Sequence, residues 1–335
     1  MEVQKSVTMK EIAKITGFSI STVSKAFNRS YEISQGTREK INDVANKLGY
    51  KPNRAAITLR SGKNYVIAVV VPSIEDPFYA RIFHGIQNSV ANTNYSIITC
   101  ITRESYEKEV KLLEKIDSRV DAFIIAPAEE TLLKKEFAHL QDIIDRKKPL
   151  VIVNSDIEDL DCSKVLSNNK VAIKEVTFKA FQRGYQNVAL ISSSKKIKNQ
   201  RKIKAFTQED ANILSANFEK FILNVGQQNL EEELAGFILE KNIDCIITAE
   251  EETTFIGMRV ADKLKKKIPS DLGFVAYISE KVAENLVTPI STINQHRKTI
   301  GFEAVNLLFD QLEGNNDSVN RVVSIRPTLI DRKSF

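Results

Sequence analysis

The chain has 335 residues, of which 42% are hydrophobic and 27% charged, enough to form more than one domain with a substantial core. Its formal net charge of +5 is uneven, because residues 1–63 carry twelve Lys and Arg against five Asp and Glu. The longest continuous apolar run, VIAVVV at residues 66–71, is far too short to span a bilayer, which excludes a membrane-spanning class. The basic first segment therefore favours a polyanionic partner for that part alone.

Cysteine usage and the N-terminus bear on where the protein works. Cys100, Cys162 and Cys245 show no metal-like spacing, and they predict neither a disulfide framework nor a metal site. The first residues contain no apolar run typical of a signal peptide. We therefore expect a cytoplasmic protein with reduced cysteines, without metal or cofactor and without a membrane partner.

Residues 8–48 predict three short helices. Thr8 is a plausible N-cap of the first helix, because a glutamate follows three residues later, and a glycine ends that helix. Ser19 can cap the second helix, in which Val23 and Phe27, four residues apart, face inward. The third helix ends at a glycine that is soon followed by a proline.

The second helix lies in GFSISTVSKAFN, residues 17–28, which contains four hydroxyl side chains, one lysine and no acid. Two helices joined at a glycine turn, the second short and cationic, are typical of a helix-turn-helix. Small hydroxyls at the start of such a helix can bond phosphates or base edges, where acids would be repelled. The spacing predicts these outward residues: Ile20, Ser21, Ser24, Lys25 and Asn28. An exposed Ile20 suits a thymine methyl, although a small structural bundle is the alternative that the pattern alone leaves open.

From Tyr65 onward, near-continuous apolar runs such as YVIAVVV, AFIIA, LVIVN and CIIT alternate with stretches of helical length. Such runs indicate parallel sheets buried on both faces. Their number over this part of the chain predicts two doubly wound lobes rather than one sheet.

The segments TMKEIAKITGFSISTVSKAFN and ISQGTREKINDVANKLGYKPNRAAITLRSGK resemble the DNA-binding head of the LacI/GalR family of bacterial transcription regulators. The resemblance runs without gaps over residues 8–62, and the later DPFY and TPISTINQ resemble the family's effector-binding core. It implies an N-terminal all-α helix-turn-helix head plus an α/β core of two doubly wound parallel-sheet lobes, periplasmic-binding-protein-like. It also implies a double-stranded DNA operator, a small-molecule effector, sugar or sugar-derived, and a homodimer as partners.

The resemblance also implies residue roles in DNA binding. The base-reading positions fall on Ile20, Ser21 and Lys25. The phosphate-contacting positions fall on Thr8, Ser19, Thr22 and Asn28. A hinge helix matches residues 53–60 and enters the minor groove, with Leu59 as its wedge and Asn53, Arg54 and Ala56 beside it. An exposed leucine on a basic segment is costly in water but can insert at a flexible base step; packing of Leu59 on the core is the alternative.

In the core, the resemblance places effector-binding positions on Phe78, Tyr79, Asn168, Lys202, Glu251 and Ile278. Sugar hydroxyls are bound by planar Arg, Asp and Asn groups. Here the arginine position holds Lys202, the aspartate position holds Ile278, and Glu251 is followed by a second glutamate. These changes predict weak binding of plain hexoses and favour a modified or cationic sugar or a non-sugar metabolite, with loss of small-molecule control as the alternative.

The expected domains are a head at residues 1–50, a hinge at 51–63 and a core at 64–335. The first lobe is expected at 64–162 and 291–324, and the second at 163–290 and 325–335. We expect a repressor that binds a pseudo-palindromic operator. A soluble solute-binding protein of periplasmic type is the alternative, disfavoured by the head and the missing signal peptide. An enzyme is disfavoured because the sequence contains no Gly-rich phosphate loop, no G-x-S-x-G and no H-E-x-x-H, so no catalytic residue is predicted.

Overall fold

The computed structural model describes residues 7–27, 32–50, 61–193, 197–208, 218–225, 229–314 and 320–335. It divides into two compact units, Met1–Asn64 and Tyr65–Phe335. Among the described helices, none is both long enough and apolar enough to cross a membrane.

The described part of the first unit contains three helices, α1 at Met9–Thr16, α2 at Ile20–Phe27 and α3 at Gln35–Lys47. The predicted cap of α1 is confirmed: the Glu11 carboxylate accepts from the Thr8 backbone N–H at 2.7 Å, and the Thr8 hydroxyl accepts from the Glu11 N–H. Gly17 ends α1 in the left-handed region at φ 74°, where glycine carries no steric cost. The apolar faces of the helices meet in one small core formed by Ile12, Ala13, Val23, Ala26, Ile41 and Ala45.

The second unit contains two six-stranded sheets. The first has the order β11-β5-β4-β3-β1-β2, with β1 at Val66–Val71, β2 at Ser96–Ile101, β3 at Ala122–Ile125, β4 at Leu150–Val153, β5 at Ser163–Ser167 and β11 at Val322–Ile325. The second has the order β12-β10-β9-β8-β6-β7, with β6 at Asn187–Ser193, β7 at Glu219–Val225, β8 at Cys245–Thr248, β9 at Gly273–Ala276, β10 at Ser291–Asn294 and β12 at Thr328–Ile330. β12 runs antiparallel to β10, and the other described pairings are parallel.

Helices pack on both faces of each sheet, so each lobe has two apolar clusters. The first lobe uses α4 at Pro77–Val90, α5 at Tyr106–Ile116, α6 at Glu129–Lys134, α7 at Ala138–Asp145 and α13 at Arg297–Leu312. The second uses α8 at Asn169–Gln182, α9 at Ile197–Thr207, α10 at Leu230–Glu240, α11 at Glu251–Lys263 and α12 at Glu280–Glu284. Coverage on both faces explains why the strands are near-continuous apolar runs.

Helices α4 and α13 approach each other closely at Gly85 and Gly301. A Cβ atom on Gly301 would lie 2.2 Å from the Ile82 carbonyl oxygen, and one on Gly85 would lie 2.2 Å from the Lys298 carbonyl oxygen. The contact therefore depends on glycine in both helices.

The lobe boundaries differ from those expected. Strand β5 at Ser163–Ser167 pairs in the first sheet, whereas residues from 163 were expected in the second lobe. Strand β10 at Ser291–Asn294 pairs in the second sheet, whereas residues from 291 were expected in the first. The chain changes lobe at the carboxyl end of each strand, while the sequence boundary was set at its beginning.

The chain crosses between the lobes after β5, after β10 and after β11. Hydrogen-bond distances join these crossings in pairs: Asn168 N–H to Ile325 O at 2.8 Å, Gln295 Nε2 to Asn169 Oδ1 at 3.0 Å, and His296 Nε2 with Thr328 Oγ1 at 3.0 Å. The crossings therefore form one connected hinge.

Candidate functional site

The first turn of α2 is fixed by its cap. The Ser19 hydroxyl accepts from the Thr22 backbone N–H at 3.0 Å, and the two side-chain hydroxyls lie 2.9 Å apart. This cap holds Ile20, which is 50% exposed, and the exposed Ser21 on the outer surface of the helix. The sequence prediction of an apolar residue exposed at this position agrees with that placement.

Lys25 lies one turn further along α2 and forms an ion pair with Glu32. Both side chains are about half exposed, at 46% and 47%. Exposed ion pairs of this kind contribute little to stability, about 0–1 kcal/mol. The Lys25 ammonium can therefore leave Glu32 for a stronger acceptor at small cost.

Ser24 does not lie on the outer surface. It is only 7% exposed, beside the buried Val23 and Ala26, so the prediction that it faces outward is wrong. On a helix, position 24 adjoins positions 23 and 27, and a small hydroxyl fits where α2 packs closely. Of the other predicted DNA-binding residues, Asn28, Asn53, Arg54, Ala56 and Leu59 lie outside the described residues.

A cavity of about 1010 Å³ lies between the two lobes of the second unit. Five of the six residues predicted for effector binding lie in its wall: Phe78, Tyr79, Asn168, Lys202 and Glu251. The sixth, Ile278, is only 2% exposed and packs in the core of the second lobe, so its predicted place in the cavity is wrong. The preceding residue, Tyr277, lines the cavity instead.

Lys202 is buried and already engaged by its own lobe. Its ammonium donates to the Ala249 carbonyl oxygen and, at 3.4 Å, to Asn199 Oδ1. It also lies 4.0 Å from the centre of the Tyr277 ring. Lys202, at the expected arginine position, is therefore bonded within the cavity wall.

Tyr277 lines the cavity and was not among the residues predicted from the sequence. Its hydroxyl is buried and has no hydrogen-bond partner among the described residues. Burial raises its pKa far above the usual range for tyrosine, so it stays protonated and able to donate. The available signal was its place next to Ile278 at the end of β9, where adjacent side chains point in opposite directions.

Acidic side chains dominate the cavity wall. Nine carboxylates line it: Asp76, Glu104, Glu129, Asp156, Glu158, Asp159, Glu250, Glu251 and Glu252. The cationic side chains number five: Lys135, Lys170, Arg201, Lys202 and Arg297. A cavity with this balance carries a negative potential.

Glu251 and Arg297 are coupled across this wall. Burial raises the pKa of Glu251, and the Arg297 charge partly opposes that rise. Burial also lowers the pKa of Arg297, against the charges of Asp76 and Glu251. The Arg297 guanidinium lies 5.3 Å from the centre of the Phe78 ring, a cation–π contact.

We expect the Glu251→Gln substitution to stabilise the ligand-free core near neutral pH. A carboxyl whose pKa is raised on folding binds its proton more tightly when folded, so its contribution falls as pH rises through the folded pKa. The glutamine amide does not ionise, so the Glu251→Gln variant does not lose this stability as pH rises. Thermal unfolding should show a higher midpoint for Glu251→Gln near neutral pH and little difference at a pH of about 4. The exposed Glu252→Gln is the matched control, and an equal rise in both variants would contradict the explanation.

Two family models match the chain. The model described as bacterial regulatory proteins, lacI family, matches residues 8–53, and the one described as periplasmic binding protein-like domain matches residues 180–335. The chain is 23% identical over 349 residues to the HTH-type transcriptional repressor PurR of Vibrio atlanticus (strain LGP32), with 98% of each covered. It is 26% identical over 334 residues to the HTH-type transcriptional regulator DegA of Bacillus subtilis (strain 168), covering 98% of this chain and 97% of DegA.

The fold is also similar to the crystal structure of the lac repressor dimer bound to operator and the anti-inducer ONPF. The TM-score is 0.79 at 18% identity, with 98% of this chain and 99% of the other covered. A helix-turn-helix head followed by a two-lobed core of the periplasmic-binding type defines a class of DNA-binding transcription regulators. The chain belongs to the LacI family of bacterial regulatory proteins.

Proposed function

We propose that this regulator is a repressor that binds a pseudo-palindromic operator as a homodimer under the control of a small molecule in the interlobe cavity. The observation that carries the proposal is the capped α2 helix, which presents Ile20, Ser21 and Lys25 at the surface of a lacI-type head. The proposal includes no catalytic step and no cofactor, and it places the protein in the bacterial cytoplasm.

The proposed operator follows from symmetry. A two-fold dimer offers one α2 helix to each half-site, so the bound DNA should contain two inverted half-sites. The lac repressor structure named above is a dimer on operator, which supports this geometry. Selection of bound fragments from random DNA by the full-length chain tests it, and recovery of sequences without inverted symmetry would contradict it.

Lys25→Ala should relax the sequence preference in each half-site as well as weaken binding. A lysine that donates to a base discriminates among bases, whereas a phosphate contact weakens all sequences equally. Binding to the selected operator and to random DNA, each over a series of salt concentrations, separates the two roles. Lys47→Ala, on the exposed side of α3, is the control for loss of one charge. If Lys25→Ala only lowers affinity evenly and reduces the salt slope by about one, it is a phosphate contact.

Ile20→Ala should reduce discrimination at one thymine by roughly 1 kcal/mol, because the shorter side chain no longer reaches the thymine methyl. Repeating the selection with this variant measures the change. An unchanged selected motif would show that Ile20 reads no base.

Effector control would act through the hinge between the lobes. A ligand that binds one lobe arrangement better shifts the population toward it, and the crossings would transmit that shift toward residues 51–63. The hydrogen bonds that join the three crossings support a coupled movement. The test is whether a cavity ligand changes operator affinity in a gel shift. Plain hexoses should bind only in the millimolar range, because Lys202 is engaged and Ile278 is turned away.

A solute-binding protein is the second candidate, because residues 180–335 match a periplasmic binding protein-like domain. That function does not use a DNA-binding head. Gel shifts with genomic fragments distinguish the two candidates, since a transport protein would retain no fragment at physiological salt.

A further inference from the structure

We infer that the interlobe cavity is built for an organic cation that also carries a hydrogen-bonding oxygen, rather than for a neutral sugar or an anion. This inference rests on the proposed function, because it names the class of ligand that the sensing cavity takes. Three features carry it: the balance of charge in the wall, the engagement of the cationic residues, and one unpartnered hydroxyl.

The charge balance comes first. Nine acidic residues line a cavity whose wall also contains five cationic residues. Low-dielectric walls around a cleft of one sign concentrate its field and attract ligands of the opposite sign. An anion would enter against that field, and a neutral ligand would leave the excess charge uncompensated.

The cationic residues are occupied by protein groups. Lys202 donates to the Ala249 carbonyl oxygen. Arg201 donates to the Asp156 carbonyl oxygen at 2.9 Å, which joins α9 to the first lobe. Arg297 donates to the Gln295 side-chain oxygen at 3.3 Å.

The two remaining cations, Lys135 and Lys170, are exposed residues of the cavity wall. An anionic ligand would therefore have to break existing bonds or rely on exposed lysines. Neither provides the planar, pre-positioned pair of donors that carboxylates and phosphates favour.

The carboxylates at the start of α11, unlike the engaged cationic side chains, have no ion-pair partner among the described residues. Within the described ranges, Glu251 and Glu252 have no basic group within ion-pair distance, and Glu251 is half-buried. Burial of the Glu251 charge is unfavourable and raises its pKa, and the Arg297 charge offsets only part of that cost. A cationic group placed beside the Glu251 carboxylate would offset more of this cost and form charge-assisted hydrogen bonds.

The unpartnered hydroxyl of Tyr277 indicates that the ligand also carries a hydrogen-bonding oxygen. It is buried in the wall and lacks a partner within the part of the chain that the structure describes. A buried hydroxyl without a partner carries an unfavourable free energy that a ligand oxygen can relieve. Lys202 covers the ring face of Tyr277, so the ligand cation belongs near Glu251 and its oxygen near the Tyr277 hydroxyl. Amino sugars and amino alcohols have both groups.

The test uses the full-length chain and two sets of compounds, each built on one carbon skeleton that carries a cationic, a neutral or an anionic group. The first set is glucosamine, glucose and glucuronate, and the second is 4-aminobutanol, butane-1,4-diol and 4-hydroxybutanoate. Calorimetry should show that the cation of at least one set binds about tenfold more tightly than its neutral and anionic counterparts. That preference should weaken as salt is raised, because added ions screen the carboxylates.

Variants assign the effect to the cavity. Glu251→Gln with Glu252→Gln should abolish the preference for the cation, and Tyr277→Phe should weaken binding without changing the order of charge preference. Glu107→Gln, an exposed carboxylate of α5 outside the cavity wall, is the matched control and should bind like the parent.

Two results would overturn the inference. One is that in both sets a neutral or anionic member binds as tightly as its cation, which leaves a sensing cavity but of another ligand class. The other is no binding by either cation up to about 10 mM. Loss of the proposed function has a different signature, namely no gel shift with selected operator DNA, whatever the charge preference in calorimetry.

Discussion

A Gly301→Ala variant is expected to lose about 2–3 kcal/mol or more of core stability. The added Cβ atom would lie 2.2 Å from the Ile82 carbonyl oxygen and 2.8 Å from the Ile86 backbone nitrogen. Both contacts are to the backbone of α4, which cannot rotate away as a side chain can. Helices α4 and α13 would have to separate, and the apolar cluster between them and the first sheet would lose packing.

The matched control is Gly236→Ala in α10. A Cβ atom at Gly236 meets nothing within 4 Å, and the residue lies inside a helix. Alanine there should stabilise the chain by roughly 0.5–1 kcal/mol, because it restricts the unfolded chain and favours the helix. Urea unfolding followed by circular dichroism compares the two variants. Equal midpoints would show that the helices tolerate a methyl group at their contact.

The second large effect is expected at Leu59. Leu59→Ala should lose on the order of a few kcal/mol of binding to the selected operator while binding to random DNA stays nearly unchanged. Leu59 lies outside the described residues, so the argument rests on its place in the basic segment NRAAITLR and on the family resemblance. An apolar wedge contributes only where the DNA kinks to admit it, whereas random DNA is held through its phosphates.

Gel shifts on selected operator and random DNA measure both affinities. Leu133→Ala, an exposed leucine of α6, is the control for loss of an exposed aliphatic side chain. Equal weakening on the two DNAs would remove the wedge role and favour packing of Leu59 on the core.

Local signals predicted the head well. The Thr8 cap, the Gly17 stop and the inward position of Val23 depend on neighbours within one or two turns, and the structure has all three. The prediction that Ser24 faces outward was wrong because this residue lies at the edge of the buried face of α2. Whether a small polar residue there is covered depends on how closely the helices of the head pack, and that is a tertiary property.

The cavity was predictable in position but less so in chemistry. The family resemblance placed Phe78 and Lys202 in the wall, where both lie. It could not show that the Lys202 ammonium bonds to the Ala249 carbonyl oxygen, which is 47 positions away in the chain. The orphaned Tyr277 hydroxyl likewise depends on what surrounds it in three dimensions.

Because the chain crosses between the lobes three times, the lobes also constrain the order in which the domains can fold during synthesis. The three described helices of the head end by residue 47, so this segment can form them as soon as it leaves the ribosome. The first lobe cannot be completed then, because α13 and β11, up to Ile325, belong to it. A DNA-binding module can thus exist on a nascent chain before its regulatory core does. The second sheet must wait longer still, for β12 at Thr328–Ile330.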